Sequence, residues 1–281
     1  MATNLQKAEL TFHTDISMRR RYFTRESMAH PAKLHLGLLR WVVGRFTLPG
    51  EVLADPMAGS GSLLLASAQQ RNVILREVEP KWVEICKRNA ERVRGSSMFA
   101  GTVDIAEGDA LGPWNFTADH IIFSPPYGCR IAPKKNLRVG ILEHRLRKIG
   151  PEKRDGWLRV LNEDSGAHGA LLFHYGEHPG QIGHLRGEKY WTAMERVYTH
   201  AHAALRGGYM VLIVKDHIRA GQRVRVVEQT SELCVRLGFD LVEKHERKVY
   251  PLSLWQRRRK ERGEPVVEDE SVLCFKKRLR A

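Results

Sequence analysis

Two hydrophobic rhythms take turns along this chain. Short apolar runs bounded by glycine, proline or acidic residues have the length of buried strands. Longer stretches repeat their apolar positions every three or four residues, the spacing of one helix face. "HPAKLHLGLLRWVVGRF" places Pro31 for a first helical turn and spaces Leu34, Leu38, Leu39, Val42, Val43 and Phe46 as a helix would. "EVLAD" at 51–55 predicts a strand, then a loop "PMAGSGS" and a helix "LLLASAQQ". "NVILRE" at 72–77 predicts a second strand, and Pro80 opens the helix "PKWVEICKRNAERVRG", with Val83, Cys86, Ala90 and Val93 on one face. "TVDIAEGDA" carries a short third strand and "HIIF" at 120–123 a fourth.

The rhythm breaks over 128–187, where basic residues, histidine and glycine dominate. It returns in "EKYWTAMERVYTHAHAALRGG", whose Trp191, Met194, Tyr198, Ala201 and Leu205 form one stripe that Gly207 and Gly208 terminate. "YMVLIVKD" predicts a fifth strand, and a helix is expected over about 222–237. "FDLVEKHERKV" and "SVLCFKK" predict two last strands joined by the polar stretch 251–270. Strands alternating with helices predict a parallel sheet covered on both faces. The expected fold is therefore α/β, Rossmann-like, with a mostly parallel seven-stranded sheet. A single domain over 1–281 with an insert at 128–187 fits the length.

Charge narrows the partners. Lys and Arg number 46 against 32 Asp and Glu, a net charge of +14. So basic a chain usually meets a polyanion, most often nucleic acid. No run approaches the roughly 18 apolar residues of a membrane span, and the polar start "MATNLQKAEL" does not resemble a secretion signal. Four cysteines, Cys86, Cys129, Cys234 and Cys274, contain no C-x-x-C pair, so neither a disulfide framework nor a metal site is expected. A cytoplasmic protein is the simplest expectation, with Cys86, Cys234 and Cys274 filling the core.

Candidate chemistry clusters at strand ends, where open α/β sheets bind ligands. Asp55 closes the first predicted strand, ahead of Gly59 and Gly61 and a helix start with free N–H groups. The loop lacks the Lys of a phosphate-binding loop, and Leu64 fills the third position of G-x-G-x-x-G. Glu77 ends the second strand, where an acid can bind a ribose diol. Asp109 follows the third, placed to accept from an adenine amino group. After the fourth strand comes "SPPYG". Each proline fixes its own φ and pushes its predecessor toward extended geometry. Ser124 and Pro125 are thereby stiffened, with a hydroxyl and an aromatic ring close by.

Taken together, "DPMAGSGS", "REVEP", "GDA" and "FSPPYG" resemble the amino-methylating S-adenosylmethionine-dependent DNA methyltransferases of the N4-cytosine and N6-adenine class. "ESMAHPAKL" resembles the family's remaining cofactor motif. "YWTAMERVY", "GGYMVLIVKD" and "SLWQ" resemble segments of bacterial and archaeal site-specific DNA methylases. The resemblance spans most of 23–277 and implies a class I methyltransferase fold. It implies S-adenosylmethionine as cofactor, with Asp55, Ala58, Gly59, Ser60 and Gly61 around the methionine portion and Glu77 on the ribose. Asp109, Ala110 and Phe123 would lie near the adenine, and Ser27, His30 and Lys33 beside the methionine tail. Met57 replaces the usual aromatic after D-P, and Arg76 stands where a small residue often precedes the ribose acid.

The resemblance also implies that Ser124, Pro125, Pro126 and Tyr127 are catalytic. An exocyclic amino group on a base is a poor nucleophile, because its lone pair is delocalised into the ring. The methyl donor is an activated sulfonium, so no covalent nucleophile is required. The protein must hold the amino nitrogen in line with the methyl group and accept its hydrogens. The Pro125 carbonyl and the Ser124 hydroxyl would be the acceptors, and Tyr127 would stack on a flipped-out base. Cys129 lies after the tyrosine and lacks the Pro-Cys context of enzymes that attack the cytosine ring. In the family, S-P-P-Y goes mostly with cytosine N4, so N4-cytosine methylation of duplex DNA is expected. N6-adenine, and less readily guanosine N2 in RNA, are the alternatives. Arg130, Lys134, Lys135 and Arg138 in the insert would contact DNA phosphates, with "WQRRRKERG" as a second candidate contact. A monomer or homodimer without metal is expected. The recognised DNA sequence is not legible.

Overall fold

The computed structural model describes residues 7–30, 32–127, 178–249, 252 and 254–278. Its centre is an eight-stranded sheet. β1 is the two-residue strand Glu9–Leu10, β2 is Val52–Asp55, β3 Asn72–Glu77, β4 Val103–Glu107 and β5 His120–Phe123. β6 is Met210–Val214, β9 Phe239–Lys248 and β10 Asp269–Lys277. The order across the sheet is β1-β9-β10-β6-β5-β2-β3-β4. β10 runs antiparallel to both neighbours, and the other pairings are parallel. This is the expected Rossmann-like, mostly parallel seven-stranded sheet, extended by β1.

Each strand feeds two cores, because successive side chains point to opposite faces. Along β6, Val211 and Ile213 join one apolar cluster, and Met210, Leu212 and Val214 join the other. The first cluster is covered by helix α2 (Leu36–Phe46), the 3₁₀ helix Ser62–Gln69 and helix α3 (Pro80–Arg94). Helices α4 (Gly187–Ala204) and α5 (Val226–Arg236) cover the second. Cys86, Cys234 and Cys274 are buried core fillers, as expected. Cys129 lies outside the described residues.

Four local expectations change. α2 starts at Leu36 rather than near residue 31, because the His35 ring accepts from the Leu38 N–H and caps it there. Pro31 itself lies outside the described residues. Residues 222–224 are not helical. They form β8 (Gln222–Val224), paired with β7 (His217–Arg219) around Ala220 and Gly221, both at positive φ. Such a two-residue turn matches the twist of a hairpin. The segment after the glycine loop is 3₁₀ rather than α-helical. The polar stretch 251–270 contains a short basic helix, α6 (Leu254–Glu261). Of the insert, residues 128–177 lie outside the described residues, and 178–186 lead back to the sheet through a 3₁₀ turn, Ile182–His184.

Candidate functional site

A cleft of about 290 Å³ opens at the carboxyl ends of β2, β3 and β5. Its floor is the glycine loop. Gly59 has φ +54, and a Cβ there would sit 2.7 Å from the His30 ring. Both the backbone and the contact therefore demand glycine. The Gly59 N–H donates to Glu77 Oε2 at 2.7 Å, and the Glu79 N–H donates to Glu77 Oε1 at 3.1 Å. The end of β3 is thus tied directly to the loop after β2. Asp55 Oδ1 accepts from the Met57 N–H at 2.9 Å, which turns the chain as β2 ends. Arg76, which stands where a small residue was usual, swings outward to Asp104 at 2.7 Å. Its stem passes beneath Gly108, where a Cβ would come within 3.2 Å.

The two acids are 7% exposed each. Burial pushes the Asp55 carboxyl up to about 8, and the nearby Glu77 adds to this against the pull of the Met57 N–H. Burial likewise raises Glu77, against the N–H groups of Glu79 and Gly59. His30 is depressed to about 4 by burial, with Lys33 and Arg19 adding to the effect. It is a neutral ring at physiological pH, packed edge-on to Trp82 at 4.6 Å. Lys33 is lowered to about 8, mainly by burial and then by Arg19. Its ammonium donates to the Met28 and His30 carbonyls, which folds the leading segment against the loop.

Asn89 on α3 is fully buried and joins these parts. Its Nδ2 donates to Ser27 Oγ and to the Ser60 carbonyl, both at 2.8 Å, and its Oδ1 accepts from the Thr24 N–H at 2.8 Å. Asp109 Oδ1 accepts from the Leu111 N–H at 2.9 Å. Gly180 is pressed against that carboxylate, because a Cβ there would lie 2.6 Å from Oδ2. Glu79 Oε1 holds this returning segment through the His178 N–H at 2.9 Å and the Gln181 amide at 3.3 Å. Glu79, Asn89, Gly180 and Gln181 did not stand out in the sequence. An amide on an otherwise apolar helix face was the one readable signal.

Ser124 follows β5 directly. Its hydroxyl and that of Tyr127 share a hydrogen bond of 3.2 Å. The Tyr190 hydroxyl of α4 donates to the Pro126 carbonyl, anchoring the turn from behind. Beyond Ser124 the cleft continues to Leu34, Ile213, Lys215 and Glu270.

Most predicted residues meet in this cleft. His30 and Lys33 border it, the loop from Asp55 to Ser60 floors it, and Glu77, Asp109 and Ala110 form one wall. Ser124, Pro126 and Tyr127 form another. Four predicted residues do not line it. Phe123 is wholly buried against Tyr198 on the opposite face of the sheet, because its place in β5 puts it on the α4 side. Pro125 is buried, Gly61 packs on Cys86 and Leu64, and Ser27 sits behind the wall on Asn89. Arg130, Lys134, Lys135 and Arg138 lie outside the described residues. Among the described residues no cluster of metal ligands occurs, and no helix is long and apolar enough to cross a membrane.

No family model matches the chain, and no curated protein matches it. Solved structures do. TrmN from Thermus thermophilus aligns at 16% identity and TM-score 0.45 over 90% of this chain, which spans only 52% of the TrmN chain. A TehB-like SAM-dependent methyltransferase from Corynebacterium glutamicum aligns at 14% identity and TM-score 0.44, covering 86% of this chain and 88% of its own. A SAM-dependent methyltransferase from Methanosarcina mazei aligns at 9% and 0.47, covering 85% and 98%. These are likenesses of general chain course. The case for the site rests on the residues themselves.

Proposed function

We propose that this protein transfers a methyl group from S-adenosylmethionine to the exocyclic N4 amino group of a flipped-out cytosine in duplex DNA. The observation that carries the reading is the Ser124–Tyr127 turn opening into the same cleft as Asp55, Glu77 and Asp109. The residues fit the cofactor. Gly59, at positive φ, lets the loop turn tightly against His30 in the cleft floor, and two buried acids with raised pKa values favour a cationic ligand rich in hydroxyls. Glu77 would take the ribose, Asp109 the adenine amino group, and the Asp55–Ser60 loop the methionine portion. The cofactor supplies a methyl group already activated on a sulfonium.

The chain's own work is alignment and proton acceptance. The Pro126 carbonyl is occupied by Tyr190 and Pro125 is buried off the cleft, so the Ser124 hydroxyl is the acceptor for the amino hydrogens. As that hydrogen bond tightens, the nitrogen lone pair localises for in-line attack. Tyr127, held to Ser124, offers its ring to the base. Lys134, Lys135 and Arg138, with the basic helix α6, would carry the phosphate contacts.

Incubation with labelled cofactor and duplex DNA or RNA, followed by mass analysis of the nucleosides, tests this. N4-methylcytosine in DNA is expected, with Ser124→Ala slower by ~10–1000-fold and Cys129→Ser active. N6-methyladenine would overturn the base assignment. 5-Methylcytosine, or an inactive Cys129→Ser, would overturn the mechanism.

A further inference from the structure

The far end of the cleft is built from a charged row on three neighbouring strands. Phe123 pairs with Leu212 across β5 and β6, so Ser124 follows level with Ile213. Val214 pairs with Ser271 across β6 and β10, so Lys215 follows level with Glu270. Glu270 pairs in turn with Arg247 of β9. Ile122, Ile213 and Val272 share one apolar cluster, and Ser124, Lys215 and Glu270 each lie two residues from one of them. A period of two puts all three on that face. Leu34 closes over them from the leading segment.

Arg19, Lys33, Arg247 and Lys215 stand near this end, and Arg19 is held by Asp15 and the Leu34 carbonyl. Lys33 donates to backbone carbonyls, and Arg247 binds Glu270 at 2.6 Å. Among the described residues Lys215 makes no hydrogen bond or ion pair, although Glu270 and Asp269 lie close enough to favour its charge. It is half-buried, and burial lowers its pKa. A desolvated ammonium in a cleft wall, with spare donors, is suited to a ligand's acceptors.

We propose that Lys215 reads the acceptor edge of the target base and is the residue that favours cytosine over adenine. The proposal rests on the methyltransferase reading of the cleft. With its amino group at Ser124, cytosine presents two further acceptors, N3 and O2, along the edge running away from the amino group. Adenine presents one, N1, and then a carbon-bound hydrogen. Neighbouring strands are about 4.8 Å apart and two residues advance about 6.8 Å. A lysine two positions beyond the level of Ser124 can therefore span the rest of a pyrimidine's edge. Its three N–H donors satisfy both cytosine acceptors, whereas adenine leaves part of that capacity unused in a desolvated site. Glu270, fixed by Arg247, favours the charged ammonium. Lys215 is thus a specificity residue and takes no proton from the reacting nitrogen.

The test compares wild type, Lys215→Met and Lys215→Gln on duplex DNA containing both bases, with nucleoside mass analysis, cofactor calorimetry and thermal melting in parallel. Lys215→Met should make N4-methylcytosine at least ~10-fold more slowly and lower the ratio of methylcytosine to methyladenine, with cofactor affinity and melting point unchanged. Lys215→Gln, which keeps two N–H donors but no charge, should fall between. An unchanged cytosine rate and base ratio, or a loss matched by a loss of cofactor affinity, would overturn the role of Lys215 while leaving the activity standing. A wild-type protein that makes only N6-methyladenine would overturn it too. One that methylates neither base would overturn the activity itself.

Discussion

Replacing Asn89 with Ala should loosen the cofactor end of the cleft without touching a ligand. Asn89 is wholly buried, and its side chain ties the leading segment and the glycine loop to α3 through three groups. They are the Thr24 N–H, the Ser27 hydroxyl and the Ser60 carbonyl. Ser27 keeps Thr24 Oγ1 as a partner at 2.9 Å, so its loss is small. The Thr24 N–H and the Ser60 carbonyl lose the bonds that Asn89 makes. An orphaned buried donor costs about 1–3 kcal/mol and an orphaned carbonyl less, so a loss of about 2–4 kcal/mol is expected. At about 2–4 °C per kcal/mol for a chain of this size, the melting point should fall by about 4–16 °C. Ser60 is part of the cleft floor. If about 1.4 kcal/mol of the loss is felt there, affinity for S-adenosylmethionine drops tenfold. Asn89→Asp should do worse, because it keeps the acceptor for Thr24 but sets a carboxylate against the Ser60 carbonyl. Differential scanning fluorimetry and calorimetric titration measure both effects. An Asn89→Ala protein with wild-type melting point and wild-type affinity would refute the clamp.

Glu77→Gln should weaken cofactor binding by roughly 1–3 kcal/mol. The amide cannot accept from both the Gly59 and Glu79 N–H groups, and calorimetric titration of the folded variant reads this directly. Cofactor binding at pH 7 should release protons. Burial pushes Asp55 from 3.8 to about 8, so between those values the folded, unliganded chain holds a proton that the unfolded chain has lost. Its stability therefore falls as pH rises across that window, and a cation that favours the carboxylate expels the proton. Calorimetry in buffers of different ionisation enthalpy should show the release, absent in Asp55→Asn, and affinity should rise toward pH 8; no release at pH 7 would contradict the assignment. DNA binding should weaken with salt at about −0.9 in log–log slope per neutralised phosphate. Replacing Lys134, Lys135 and Arg138 with Ala should flatten that slope in a filter-binding series, and an unchanged slope would move the DNA path elsewhere.

What the sequence revealed depended on how local the cause was. Strand ends were readable because four residues of β5 or six of β3 carry their own apolar run and terminate on an acid or a proline. The acids Asp55, Glu77 and Asp109 could be placed because each follows a strand at the same edge. Phe123 does not line the cleft for a reason of parity. It is one residue before Ser124, and adjacent strand residues face opposite ways, so one enters the cleft side and the other the α4 core. The hairpin at 217–224 escaped because Ala220 adopts positive φ, which its residue type does not announce. Asn89, Glu79 and Gly180 act across 29 to 99 residues of chain, and no short window of sequence contains both partners.

The buried acids join those local signals to the proposed chemistry. In the unliganded cleft Asp55 and Glu77 are each disfavoured as anions by burial; the nearby Glu77 adds to this for Asp55, and Glu79 adds to it for Glu77. Their compensation comes from backbone N–H groups alone, that of Met57 for Asp55 and those of Gly59, Glu79 and Val78 for Glu77. One of those N–H groups belongs to Gly59, the residue whose positive φ shapes the loop. Ionisation, loop geometry and binding are therefore a single coupled event. A ligand that brings positive charge and hydroxyl donors favours both carboxylates, and Glu77 then holds Gly59 more firmly as the charged form of its acceptor. The Asp55–Glu77 end of the cleft would gain little from an anionic ligand such as a nucleotide phosphate, since Lys33 is committed to backbone carbonyls, His30 is neutral at physiological pH, and Lys215 stands at the far end. A glycine loop after a first strand is common to sites for both kinds of ligand. The neighbouring charges select between them, and here they select the cation.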